Sequence, residues 1–337
     1  MNTVPEISII TPVWNGLPYI KECIESVLSQ EFQNWELLIG DNCSTDGTRE
    51  YLSELDDPRI KVFRHDKNLG IWRNLNFLFA KASTPLAYFL CADDYFLPGG
   101  LGNVITEWKM VGSRVACIGF NSEDSLSYSK LMRYSHSVIP QRMDPPTSRL
   151  SFFLFGNFPG NLSNMSARVD AIREAGGFVE HLKSAGDFEL WSRLGRNNDI
   201  VVTNTKSAYV RRHEGVASNY LNRNGEQYSQ QIEIFEELIN ELSSQYDRKR
   251  LISYFNLGIC SYHFRRAIKS ALYGRFAYMK VMFSVKSVIL WPKWKQLLTC
   301  FPLGFTEEGR ESLSVRLAKD FVNESKQINA VVTKLTL

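Results

Sequence analysis

A chain of 337 residues, 44% hydrophobic and 22% charged, has globular composition with length for one large or two ordinary domains, which excludes an intrinsically disordered chain. The opening MNTVPEISII lacks the basic segment and long apolar run of a secretory leader, and the longest uncharged interval, Leu150 to Ala167, is broken by Gly156, Pro159 and Gly160; neither a leader nor a membrane span is expected. The net charge of +3 hides a segregation, because Arg248 to Thr306 holds eleven Lys/Arg and no acid, leaving −8 for the remainder.

In chain order, Glu6 to Val13 (EISIITPV) reads as a buried strand, followed by the loop WNGLP and a helix with Ile20, Cys23, Ile24, Val27 and Leu28 at helical spacing. Trp35 to Gly40 is a second buried strand running into DNCSTDGT, where Asp46 is placed to cap a helix through Leu55. Arg59 to Arg64 gives a third strand, and after NLG a helix from Ile71 to Ala82 leads to a strand over Leu86 to Ala92. A helix over 100–110 and a strand over Val115 to Asn121 complete the series. Strands alternating with helices predict βαβ units and an α/β fold with a doubly wound, mostly parallel sheet. Right-handed crossovers then set Thr11 to Asn15, Asp41 to Ser44 and Asp93 to Asp94 along one edge.

The strand from Leu86 ends on two adjacent carboxylates, Asp93 and Asp94. Acids are seldom buried unless paired or metal-bound, and ligands bind beyond the carboxyl ends of strands in open α/β sheets. The plainer alternative is that one of them caps the helix after Pro98. No GxGxxG follows the first strand and no GxxxxGK[ST] occurs, which disfavours a dinucleotide-binding dehydrogenase or a P-loop enzyme. Phosphates approach an acidic edge only through a divalent cation, and hard cations such as Mg2+ or Mn2+ take oxygen ligands. The six cysteines have no CxxC or zinc spacing and read as reduced thiols of a cytoplasmic protein.

Taken in order, ISIITPVWN, ELLIGDNCSTDGT, NLGIWRNLN, YFLCADD, AGDFELWSRL and RRHEGVASN resemble the motifs of a family 2 glycosyltransferase of the GT-A fold, over roughly Pro5 to Asn219. The resemblance implies a GT-A catalytic domain at 1–220, with a nucleotide-binding half at 1–121 and an acceptor half at 122–220. A helical C-terminal region at 221–337 would follow. Thr11, Pro12, Val13, Asn15 and Asp41 would hold the nucleoside of a nucleotide sugar, with a UDP-linked donor expected. Asn68 and Gly70 would line its base or ribose side, although NLG is also ordinary turn chemistry. Asp93 would contact the ribose and Asp94 would bind Mn2+ or Mg2+. His213 would join the metal shell, and Arg211 and Arg212 would neutralise phosphate. Asp187 would be the general base of an inverting transfer, its alternative being the N-cap of the helix that buries Leu190, Trp191 and Leu194. The segment GNFPGNLSN (Gly156 to Asn164) would lie below the acceptor.

Two positions depart from the family pattern. Cys91 stands where many relatives carry an aspartate, and position 186 lacks the acid that precedes the base. These departures keep open a rival reading, a catalytically inactive protein that binds nucleotide sugars within a membrane assembly. The resemblance further implies a lipid-linked or oligosaccharide acceptor in O-antigen or capsule synthesis. In the basic block, cations alternate with aromatics in a pattern read as helices basic on one side and aromatic on the other. Such helices suit an anionic membrane surface, which would make the protein peripheral on the inner face of the cell membrane. The alternative is a helical lid with a solvated basic face. No nucleic-acid-binding motif accompanies the charge.

Overall fold

The structure, a computed structural model, describes residues 5–122, 142–211, 213, 224–295 and 317–323. These fall into two compact units. One holds 5–122, 142–145 and 159–211, and the other 146–158, 213, 224–295 and 317–323.

In the first unit, β1 (Ile7–Val13), α1 (Tyr19–Leu28), β2 (Trp35–Asp41), α2 (Thr48–Ser53), β3 (Ile60–Arg64), α3 (Ile71–Lys81) and β4 (Leu86–Phe89) form a parallel half-sheet in the order β3-β2-β1-β4. β1 and β2 are buried on both faces, as their near-continuous apolar runs require, and β3 lies at the edge, half exposed. The sheet continues through β5 (Tyr95–Phe96), α4 (Gly100–Met110), β6 (Val115–Ser122), β7 (Arg142–Met143), β8 (Met165–Arg168) and β9 (Asp199–Tyr209). Beyond β4 the order is β8-β6-β9-β5, with β7 also on β9. β8 runs antiparallel to both β4 and β6, so this half of the sheet is mixed. Also in this unit are α6 (Val169–Glu174) and α7 (Gly186–Leu194); α5 (Pro145–Phe155) belongs from Pro146 onward to the second unit.

β4 stops at Phe89, three residues short of the uncharged run. Leu90 N–H still donates to the Ile10 carbonyl, and the chain then turns, with Asp94 N–H donating to the Cys91 carbonyl at 3.0 Å. Leu90 and Ala92 are buried through this turn, so burial alone overstates the strand.

The second unit is built from α5, α8 (Glu226–Leu242), α9 (Arg248–Phe255), a π-helical turn over Asn256–Cys260, α10 (Ser261–Leu272) and α11 (Ala277–Ser284). α5 joins these helices rather than the sheet because Phe153 packs against Phe235 and Tyr254, Tyr254 Oη donates to the Leu154 carbonyl at 2.7 Å, and Arg149 pairs with Glu241 at 2.5 Å. The division therefore takes 146–158 out of the expected acceptor half and groups it with the C-terminal helices. Cations and aromatics do not segregate on α10 and α11 as read from the sequence. Tyr262, Lys269, Tyr273, Phe276, Lys280 and Phe283 are all exposed, because the inward positions are taken by His263, Phe264, Ala267, Tyr278 and Met282.

Candidate active site

The C-terminal ends of β1, β2 and β4 lie side by side, with Val13 opposite Asp41 and Ile10 opposite Phe89. The loops beyond β1 and β2 are stitched together. Asn42 N–H donates to the Val13 carbonyl, Asn15 N–H to Ser44 Oγ at 2.8 Å, and Thr45 N–H to Asn15 Oδ1 at 2.8 Å. Asn15 has a φ of +52°, a left-handed conformation that asparagine tolerates better than most residues. Thr11 Oγ1, at the base of this edge, is buried with no hydrogen-bond partner among the described residues. Pro12 is half buried and Val13 buried beside it.

Asp41 is fully buried and accepts from Ser44 N–H on Oδ1 and from Arg49 Nε on Oδ2, both at 3.0 Å. Each oxygen keeps one lone pair for a further donor. Asp46 holds the start of α2 from one residue further out than expected. Gly47 is the N-cap, with a φ of +92°, and Asp46 accepts from Thr48 N–H and, across the loops, from Leu17 N–H.

Asn42 and Asn68 explain each other. Asn42 Nδ2 donates to Asn68 Oδ1 at 2.8 Å, its Oδ1 accepts from Leu69 N–H at 2.7 Å, and Asn68 Oδ1 also accepts from Gly70 N–H. An aspartate at 42 would lack the donor and set two acceptors against each other. Gly70, at a φ of +80°, starts α3 with open space where a side chain would be. NLG is thus turn chemistry that also connects the end of β2 to α3.

The donor atoms of Cys91, Asp93 and Asp94 all lie within 4.8 Å of one another, the one such metal-competent group among the described residues. Asp94 is buried, accepts from Arg211 N–H at 2.7 Å and is hydrogen-bonded to Ser163. Burial first, and the charge of Asp93 second, push its carboxyl up to about 7 against those hydrogen bonds and the Arg211 charge. Ser163 Oγ also accepts from Cys91 N–H at 2.9 Å. The Arg211 guanidinium donates to the Asp93 carbonyl and pairs with Glu22 at 2.6 Å, so it braces the turn instead of standing open to phosphate. Arg212 lies outside the described residues. A dication fits this donor set: it would offset the cost of the buried Asp94 anion, and a thiol beside two carboxylates suits manganese better than an all-oxygen magnesium site. His213 is half buried in the second unit and is not part of this group.

In metal-free buffer the folded chain holds the Asp94 proton up to about pH 7, against an ordinary value of 3.8. Between those values the native state binds more protons than the unfolded state, so stability falls as pH rises from about 4 to about 7. Asp94→Asn is expected to remove that slope. Thermal melts in EDTA should show the variant more stable than wild type at pH 8 and the two converging near pH 4.

Asp187 is the second residue of α7, half buried, with Oδ1 accepting from Phe188 N–H at 2.8 Å; the N-cap is Ala185. Glu189 is committed to Arg193 at 2.6 Å. α7 is anchored under the sheet edge by Trp191, edge-on to Phe89 at 5.2 Å. Its amino end meets the amino end of α3: Trp72 Nε1 donates to the Leu182 carbonyl, the indole stacks on Phe178 at 4.9 Å, and a Cβ at Gly186 would lie 2.7 Å from Trp72 Cε2. One run of contacts therefore joins Asp41, Asn42, Asn68, α3, Gly186 and Asp187.

The glycosyl transferase family 2 model matches residues 8–176, half of the chain. The chain belongs to this family. The putative teichuronic acid biosynthesis glycosyltransferase TuaG of Bacillus subtilis is 39% identical over 95 residues, covering 28% of this chain and 38% of TuaG. The UDP-Glc:alpha-D-GlcNAc-diphosphoundecaprenol beta-1,3-glucosyltransferase WfgD of Escherichia coli is 29% identical over 139 residues, covering 38% of this chain and 55% of WfgD. The chain thus spans about half or less of these relatives' lengths. Among solved structures, the mannosyltransferase PcManGT of Pyrobaculum calidifontis, in complex with GDP-Man and Mn2+, superposes with a TM-score of 0.55 at 14% identity, covering 97% of this chain and 89% of that one. This likeness establishes the GT-A fold.

As a family 2 member the chain lacks an acid at 186 for a steric reason, since the Trp72 indole occupies the space. Gly186→Asp is expected to destabilise the protein by about 1–3 kcal/mol, as overpacking of a close contact does. The shift in urea midpoint measures it. Ser163 and Arg211, which hold Asp94, carry no sequence signal of that role: one sits in a glycine- and asparagine-rich loop, and the other bonds through its backbone.

Proposed function

We infer that the chain is a metal-dependent, inverting glycosyltransferase that moves a sugar from a UDP-linked donor to a hydroxyl of a lipid-linked glycan acceptor. Its product would feed a surface polysaccharide such as O-antigen or capsule, and the protein would work in the cytoplasm, peripheral on the inner face of the membrane. The observation that carries this reading is the Cys91, Asp93 and Asp94 donor group at the edge where β1, β2 and β4 end, in a chain of this family. WfgD supports the donor and acceptor classes through the two substrates in its name.

In this reading Thr11, Pro12, Val13, Asn15 and Asp41 hold the nucleoside, with Asn68 and Gly70 on its flank. Asp93 meets the ribose. Asp94 holds Mn2+ or Mg2+, with Cys91 beside it. When bound, the cation supplies charge stabilisation on the departing diphosphate. Asp187 takes the proton from the acceptor hydroxyl as that oxygen bonds to the anomeric carbon and the bond to the UDP oxygen breaks, which inverts the centre. Glu189 is unsuited to the role because Arg193 holds it.

The rival reading, a nucleotide-sugar binder without catalysis, rests on Cys91 and Gly186; the packing of Trp72 supplies a steric reason for the second. A thermal-shift panel of UDP-, GDP- and dTDP-sugars with and without Mn2+ tests the proposal, since stabilisation grows with ligand concentration over Kd. UDP-sugars with Mn2+ are expected to give the largest shift, followed by slow donor hydrolysis; absence of both removes the enzyme reading.

A further inference from the structure

The α10–α11 hairpin presents a surface that the catalytic reading leaves unused. Residues 272–277 are exposed without a break. Leu272 is 81%, Tyr273 73% and Phe276 58% exposed, a concentration of large apolar side chains at one turn that monomeric proteins seldom leave in water. The exposed positions of both helices follow helical spacing. On α10 and its C-terminal flank Tyr262, Lys269, Leu272 and Tyr273 are exposed, with Arg266 half buried between Tyr262 and Lys269, and on α11 and the residue before it Phe276, Ala277, Lys280, Phe283 and Ser284 are exposed. Both exposed surfaces carry rings and cations together. Lys269, Arg275, Lys280 and Lys286 have no acidic partner among the described residues, and no acid occurs from Arg248 to Thr306. Two contacts fix the hairpin: His263 Nδ1 is hydrogen-bonded to Tyr278 Oη between the buried faces, and one side of the partly exposed Phe283 ring packs on Phe264 at 6.3 Å. No helix among the described residues is long and apolar enough to cross a membrane.

We propose that this hairpin is a wedge that docks the protein on an anionic bilayer, with Leu272, Tyr273 and Phe276 entering the interface and Lys269, Arg275, Lys280 and Lys286 contacting lipid phosphates. Aromatic rings favour the headgroup region, and each Lys or Arg near an anionic leaflet strengthens binding about five-fold. A protein partner with an acidic groove would match the charge but would not require apolar tips at the turn. The proposal rests on the membrane reading above and adds the segment that makes the contact.

Vesicle flotation of the full chain tests it, using phosphatidylcholine with and without phosphatidylglycerol. Wild type is expected to float with phosphatidylglycerol-containing vesicles, less so in high salt, and to stay down with pure phosphatidylcholine. Leu272→Asp combined with Phe276→Asp should weaken flotation at least about ten-fold, and Lys269→Glu with Lys280→Glu about 25-fold or more, at one factor of five per lysine. Circular dichroism and the UDP-dependent thermal shift should remain as in wild type, because all four side chains are exposed. Tyr273→Trp should show a blue-shifted emission on the anionic vesicles. Wild-type flotation that both double variants retain would overturn the wedge while sparing membrane association. Loss of flotation by wild type itself would overturn both readings. A wild-type dimer that ignores vesicles and is split by Leu272→Asp/Phe276→Asp would assign the surface to a second copy of the chain and contradict the proposal.

Discussion

Asp94→Ala is expected to abolish Mn2+-dependent binding of UDP, weakening it by about 100-fold or more, equivalent to about 2.7 kcal/mol. The size follows from the position of the carboxylate. Asp94 is buried, its oxygens are aimed by Arg211 N–H and by Ser163, and the neighbouring donors are one thiol and Asp93. Removing it leaves the cation with Asp93 and with a thiol that burial, the largest cause of its raised pKa in the wild-type chain, continues to disfavour as an anion, so that ligand would have to lose a costly proton on binding. Calorimetric titration of UDP into wild type and variant, each with Mn2+ and with EDTA, measures the effect. Because Asp94→Ala also relieves a buried charge, the variant should melt no lower than wild type in EDTA at pH 8, which separates lost binding from lost folding.

Asp187→Asn should behave differently. The amide keeps an Oδ1 that can accept from Phe188 N–H, as Asp187 does at 2.8 Å, and the substitution leaves the contacts of Trp72 and Trp191 alone. UDP and Mn2+ affinities are therefore expected within about two-fold of wild type, within ordinary surface-substitution effects. Transfer to a glycan acceptor should fall by about 10²–10⁴, the usual contribution of a general base. A loss in kcat with KM for the donor unchanged is the expected signature. Full transfer activity in Asp187→Asn would remove the base from this position and redirect attention to other acids at the edge.

Much of this arrangement is legible from residue pattern because the physics behind it is local. The apolar runs of β1 and β2 announce strands buried on both faces, and α3 and α4 follow their spacing nearly to the residue. The end of β4 is less legible: Leu90 and Ala92 are buried for packing in a turn, not for strand pairing. The antiparallel placement of β8 between β4 and β6 depends on contacts far apart in sequence. So does the grouping of α5 with the C-terminal helices, which Arg149, Phe153 and Leu154 fix.

At the site, acids at strand ends stand out because their burial needs a reason, and Asp94 shows that tension in its raised pKa. Their supports do not stand out. Ser163 reaches Asp94 across 69 positions of sequence, and the amide pairing of Asn42 with Asn68 looks like two unrelated loop residues. Gly186 reads as a missing acid until Trp72 is seen beside it. In the basic block, composition gives the charge, but the exposure of rings and cations on the same surface emerges only once the helices are placed.

The most direct measurement is calorimetric titration of UDP into the wild-type protein with Mn2+ and again with excess EDTA. Saturable binding with the metal that vanishes under chelation is the predicted result. Equal affinity in both buffers, or none in either, would contradict the claim that Asp94 and its neighbours hold a nucleotide diphosphate through a cation.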